Sequence, residues 1–248
     1  MAPTLMCLSS YIHADVSSLL YRELVVYTDA YVKEPSEEAI KRYGHHIRHL
    51  LLGWRLDVSQ ATGMLPIYLR SSPNIIHLGI CVAVEAEDEW LDHLKKLPLI
   101  RLTLHPSSLG MDYWDHGSAV SSVHSRLSCF TQLTHLNIAG VFPLPYISCF
   151  RALPNLTSLS MYCEHLPLGW NFPDLRSEHP GIKAFIIVRE DSEIDVYMEC
   201  DEDLGCIKDP RAISCLVPDY IADWRRGARG LLDLHDFAWE KLNERGHG

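Results

Sequence analysis

The stretch LPNLTSLSM, residues Leu153 to Met161, has a rhythm that returns in other spellings along the chain. SPNIIHLGI (Ser72 to Ile80), LPLIRLTL (Leu97 to Leu104), FTQLTHLNI (Phe130 to Ile138) and HPGIKAFII (His179 to Ile187) share its spacing of apolar residues. With the first apolar residue of a unit as position one, the template asks for apolar residues at positions one, four and six. Tyr21-Leu24-Val26, Ile47-Leu50-Leu52, Ile75-Leu78-Ile80 and Leu99-Leu102-Leu104 meet it, as do Leu133-Leu136-Ile138, Leu156-Leu159-Met161 and Ile182-Phe185-Ile187. Successive units start 26, 28, 24, 34, 23 and 26 residues apart. All but one of these steps fall in the roughly 20–29-residue period of leucine-rich repeats with their LxxLxL core. Pro73, Pro98, Pro154 and Pro180 stand just ahead of their units, where proline ends a helix and starts extended chain.

Between the units lie segments with helical spacing. SEEAIKRYGHHI offers Ser36 as an N-cap and two acids for the first turn, which favours a helix start. EDEWLDHLKKL sets Trp90, Leu91, Leu94 and Leu97 on one face, and SAVSSVHSRLSCF does the same with Val120, Val123, Leu127 and Phe130. Alternating strand and helix at this period predict an α/β fold. The expected form is an irregular leucine-rich-repeat-like solenoid, with a parallel sheet on the concave side and helices on the convex side. The expected organisation is a terminal cap over 1–20 with a short helix at 5–20, the solenoid over 21–190, and a C-terminal strand and capping helix over 191–248. The capping helix is expected to follow Gly230 and to pack near the last repeats through Trp224 or Trp239. A compact doubly wound α/β sheet is the other arrangement such alternation permits.

Composition narrows the function. The 248 residues carry a net charge of −10 and 47% hydrophobic residues, which suits a soluble core and disfavours a nucleic-acid surface. No window approaches the roughly 18 unbroken apolar residues of a membrane span. The opening MAPTLMCLSSYIHADV lacks a basic n-region, so it is not read as a signal peptide. Eight scattered cysteines without a CxxC pair are expected as free thiols in the cytoplasm or nucleus.

The units, together with LMCLSSYIHADVSSLLYRELVV at the start and DPRAISCLVPDYIADWRRGARGLLDLHDFAWEKL at the end, resemble fungal F-box proteins with leucine-rich-repeat-like domains. The resemblance implies a substrate receptor that docks the adaptor subunit of a cullin-type ubiquitin ligase. Two features depart from that pattern. Position nine, usually Asn or Cys, reads Arg55, Ala83, Ser107, Val141 and Glu164; and the first F-box helix, usually opened by Leu-Pro-x-Glu, has no counterpart in the quoted start. The resemblance therefore implies adaptor docking only where a full F-box is present.

No catalytic constellation emerges. The sequence holds no GxSxG, no glycine-rich phosphate loop and no HExxH, so an enzyme, a cofactor and a metal site are not expected. MDYWDHG, residues 111–117, and the acid runs 85–89 and 189–203 read as polar surface. Arg225, Arg226 and Arg229 in WRRGARG suit either a phosphate or the acidic run.

The binding surface is read from the repeat phase. Alternation sends positions three and five to the face opposite the apolar positions. Position three reads Glu23, His49, His77, Arg101, His135, Ser158 and Ala184; position five includes Leu51, Gly79, Thr103, Asn137 and Ser160. A polar column beside small residues leaves room for a ligand chain. A protein partner is thus expected to contact His49, His77, Arg101, Thr103, His135, Asn137, Ser158 and Tyr162, with imidazoles of ordinary pKa. A solvated sheet face is the plainer reading of the same column.

Overall fold

The computed structural model describes residues 16–26, 35–53, 56–85, 88–111, 120–140, 144–162, 179–200 and 209–246. Residues 5–15 of the expected N-terminal helix, nearly all of MDYWDHG, parts of both acid runs, and Cys7, Cys163 and Cys206 lie outside them.

Every template unit forms a strand: β1 (Glu23–Val26), β2 (His49–Leu52), β3 (His77–Ile80), β4 (Arg101–Leu104), β5 (His135–Ala139), β6 (Ser158–Tyr162) and β7 (Ala184–Glu190). They pair in parallel, in chain order, and without slippage. That order has no reversal, so the doubly wound alternative does not describe it. Beyond β7 the order changes: β9 (Ala212–Val217) adds in parallel, and the two-residue β8 (Met198–Glu199) lies outside it, antiparallel. The sheet has nine strands among the described residues and stays open.

One hydrogen-bond device recurs at each step between units. The position-two carbonyl accepts two N–H groups from the next unit. Arg22 O takes those of Arg48 and His49, and Arg48 O those of Ile76 and His77; Ile76 O takes Ile100 and Arg101. Ile100, Thr134 and Thr157 continue the series up to Lys183 and Ala184. No Asn fills position nine, but Asn74 and Asn155, each just before a unit, donate to the carbonyls of His45 and Thr131. These side chains tie the turns as a regular repeat asparagine would.

Helices α1 (Glu37–Tyr43), α2 (Val58–Ser71), α3 (Asp88–Leu94) and α4 (Val120–Leu127) connect successive strands. Ser36 caps α1, accepting from Ala39 N at 3.3 Å. α2 starts on Asp57, whose carboxylate accepts from Ser59 N at 2.8 Å, and it runs through Pro66. Its buried residues Ala61, Leu65, Tyr68 and Leu69 keep helical spacing. These helices and the position-one, -four and -six side chains enclose the larger core, in which Leu50, Leu78, Leu102, Leu136 and Leu159 are buried.

The opposite face is covered as well. α5 (Tyr220–Ala228) and α6 (Leu234–Gly246), joined by a short turn, form a helical hairpin across it. Their Tyr220, Trp224, Ala228, Leu234 and Ala238 share a second core with Leu51, Cys81, Ala139, Ile186, Val188, Ile213 and Cys215. The expectation of helices on one side only is therefore corrected: the sheet is sandwiched. The expected capping helix after Gly230 is present as α6, packed on β7 and β9. Of the two tryptophans expected to make that contact, Trp239 lies beside Lys183 just ahead of β7, whereas Trp224 lies on β3.

Replacing Leu102 with Ala, in the larger core, should cost about 2–5 kcal/mol by urea unfolding. A change under about 1 kcal/mol would show that positions four do not carry that core.

Candidate functional site

The sequence column exists in register: Glu23, His49, His77, Arg101, His135, Ser158 and Ala184 are successive lateral partners. It is neither open nor solvated. His49, His77, Thr103, Asn137 and Ser158 are buried, at 6% exposure or less, and His135 and Tyr162 are half-buried.

The hairpin does the covering, residue by residue. The Trp224 ring lies 4.3 Å from that of His77, and His49 meets His77 edge-on at 5.9 Å. The Tyr220 hydroxyl stands between Thr103, at 3.2 Å, and Asn137, whose amide donates to it. Arg101 forms an ion pair with Asp233, and Glu23 accepts from Arg225 and Arg229, each at 2.7 Å. Ser158 Oγ lies 2.7 Å from Nδ1 of His235, whose ring meets His135 edge-on at 4.8 Å. Tyr162 stacks edge-on against Tyr220 and donates to Glu190. The arginines of WRRGARG thus meet β1 through Arg225 and Arg229, while Arg226 donates to Leu232 O and lies over the Tyr197 ring. The acidic run is met instead by Arg245, which pairs with Glu199.

Two glycines make room for this. A Cβ on Gly79 would stand 3.1 Å from Trp224 Nε1 and closer still to Leu51. A Cβ on Gly227 would collide with Asp233 and Arg101. The space that small position-five residues leave for a ligand chain is filled by the chain's own tail.

Burial changes the titration of the cluster. It lowers His49 to about 4, with Arg22 adding to the effect, and His77 well below the usual imidazole value. Burial, then His235 and Arg101, takes His135 to about 3; burial takes His235 to about 4. The expectation of ordinary imidazoles is corrected. Burial also raises Asp223 to about 6, even though it accepts from the Tyr197 hydroxyl and Leu234 N, each at 2.7 Å. Asp233 stays below the usual carboxylate range: burial pushes it up, but His235 and Arg101 outweigh that.

Tyr220, Trp224, Asp233 and His235 belong to the helix half of this cluster and were not singled out from the sequence as site residues. The void between the two halves offers about 20 Å³ to the centre of a water molecule, room for about one water and no ligand. A more open cleft, about 330 Å³ on the same measure, lies beside it, lined by Thr157, Lys183, Asp236 and Trp239. Among the described residues no group of three or more His, Cys, Asp or Glu side chains is placed to hold a metal, and no helix is long and apolar enough to cross a membrane. No protein-family model matches the chain, and no curated protein matches it either.

These shifts fix a pH dependence. The four histidines have folded values below the unfolded value near 6.5, so the stability they support is present above that value and drains away as pH falls toward 4. Asp223 acts oppositely, adding stability as pH falls through about 6. With four groups against one, unfolding free energy should drop between pH 6.5 and 4.5, by about 1.4 kcal/mol per pH unit for each net proton taken up. Urea titrations across this range measure it; a flat profile would contradict buried neutral imidazoles.

Proposed function

We propose that this chain is a non-catalytic protein-recognition module built on a leucine-rich-repeat-like solenoid. The observation that supports it most is the recurring step geometry: seven successive units joined at six steps by the same shared carbonyl, with position three in register throughout. Repeats stacked this way present an extended row of side chains on one face, the usual binding surface of such proteins. Here that row already contacts helices through stacking, ion pairs and hydroxyl bonds. In this reading a protein partner engages the column of His49, His77, Arg101 and His135, flanked by Thr103, Asn137, Ser158 and Tyr162, in place of the helices that cover it.

The F-box resemblance adds a role in selecting substrates for a cullin-type ubiquitin ligase. The short helix over 16–20 lends it support, since Leu19 and Leu20 stand 72% and 48% exposed there. Because the resemblance reaches only the end of an F-box, the chain alone should bind the purified adaptor weakly or not at all. Sub-micromolar binding would overturn that expectation and favour the receptor role. An interaction scaffold with no ligase role is the alternative.

Recognition is tested by affinity capture from native lysate with the wild-type chain and a folded His49→Ala, His77→Ala, His135→Ala variant. A partner recovered by the wild type should be depleted at least about tenfold with the variant, as for loss of an interface hot spot. Equal recovery would move recognition to another surface.

A further inference from the structure

The hairpin is held differently along its two arms. α6 lies on β7 and β9 over an apolar patch of Ile186, Val188, Ile213, Cys215 and Val217. α5 crosses β5 to β1, where the face is largely polar. Tyr220 reaches Thr103 and Asn137, Trp224 reaches His77 on β3, and Arg225 and Arg229 reach Glu23 on β1.

The fit under α5 is incomplete. Both ring nitrogens of His49, Nδ1 of His77, Oδ1 of Asn137 and Nε1 of Trp224 are buried and have no hydrogen-bond partner among the described residues. Such atoms are costly to bury. Spacing shows where the mismatch is worst. One helical turn beyond Trp224 is Ala228, buried on the same side of α5. A turn advances about 5.4 Å, close to one strand spacing of about 4.8 Å, so Ala228 is carried toward β2, the strand of His49, and it shares a core with Leu51 of that strand. Its methyl group can offer an imidazole no hydrogen bond. Meanwhile α5 adds no strand to the sheet, so its departure would break no ladder hydrogen bond and leave the larger core enclosed.

We propose that α5 is a cis occupant of a helix-binding site, which a helix of a partner protein takes in its place. The face from Asn137 to Glu23 states the chemistry of that helix. It carries a phenol for Thr103 and Asn137, an aromatic ring one turn later for the pocket over Gly79 and His77, and basic residues at its C-terminal end for Glu23. At the place of Ala228 it carries a polar side chain for His49. Charge complementarity favours a basic-ended helix of this kind over an acidic one, because Glu23 is the acid of the column and Arg101 is already paired to Asp233. The site rests on the recognition reading above and names the class of partner for it.

The test uses the full-length chain with Tyr220→Ala and Trp224→Ala, which removes both anchors of α5 and leaves the face intact. The probes are fluorescein-labelled synthetic peptides of residues 218–230, one with the native sequence and one with Ala228→Asn. The opened chain should bind the native peptide at least about 50-fold more tightly than wild type does, since the wild-type site is free only in the fraction of molecules with α5 displaced. The Ala228→Asn peptide should bind more tightly again, and adding Glu23→Arg to the opened chain should abolish binding of both. A folded opened chain that binds neither peptide better than wild type overturns the proposal. Should the opened chain fail to fold, hydrogen exchange on the wild type decides. α5 amides should exchange at least about 100-fold faster than those of β4, through local opening; equal protection overturns the proposal. If the peptides fail while the captured partner still depends on the three histidines, the helix site falls and the recognition reading stands.

Discussion

In-register parallel pairing is the constraint from which the rest of this molecule follows. Side chains alternate along a strand, so a slip of one residue would carry every apolar side chain to the wrong face. The shared position-two carbonyl fixes that register at each step from β1 to β7. Positions one, four and six are thereby committed to the core beneath α1 to α4, and positions three and five to the other side. A face carrying His49, His77, Arg101 and His135 in one row is the direct result. Whatever covers it has to answer that polarity.

The hairpin answers it with matched groups rather than bulk. Arg101 and Asp233 lie 132 residues apart in sequence, yet they form a pair in which the carboxylate side chain is 3% exposed. Asp233 also accepts from the N–H groups of His235 and Asp236 at the start of α6, so one carboxylate caps a helix and neutralises the sheet's half-buried cation. Glu23 does the like for two arginines at the end of α5. Ion pairs whose carboxylate is buried, as in Arg101–Asp233, add little net stability over an apolar contact but penalise any misaligned docking strongly. They set where the hairpin lies along the strands, while Trp224 over Gly79 sets how closely it approaches.

The strands, and helices α1, α3 and α4, were readable because each follows one clear period. α2 was not, because Pro66 interrupts its pattern, although Asp57 and the spacing of Ala61, Leu65, Tyr68 and Leu69 sustain the helix. α5 was hidden for another reason: its buried face mixes Tyr220, Asp223, Trp224 and Ala228, which no apolar period marks. The column residues were named correctly as neighbours, but their surroundings were not foreseen. Strand alternation tells which side a side chain takes and nothing of what lies over that side. The clue lay in Gly79 and the small residues beside it, which make a place for a large ring, and in Trp224, which supplies one.

The central claim is that the C-terminal hairpin is coupled to the polar face through Arg101 and Asp233. A double-mutant cycle with Arg101→Met and Asp233→Asn, read by urea unfolding at pH 7, tests it most directly. Each single variant leaves a buried charge without its partner and should lose about 2–4 kcal/mol, whereas the double variant should lose little more than one single, giving a coupling energy above about 1.5 kcal/mol. Additive losses, with a coupling energy near zero, would contradict the account.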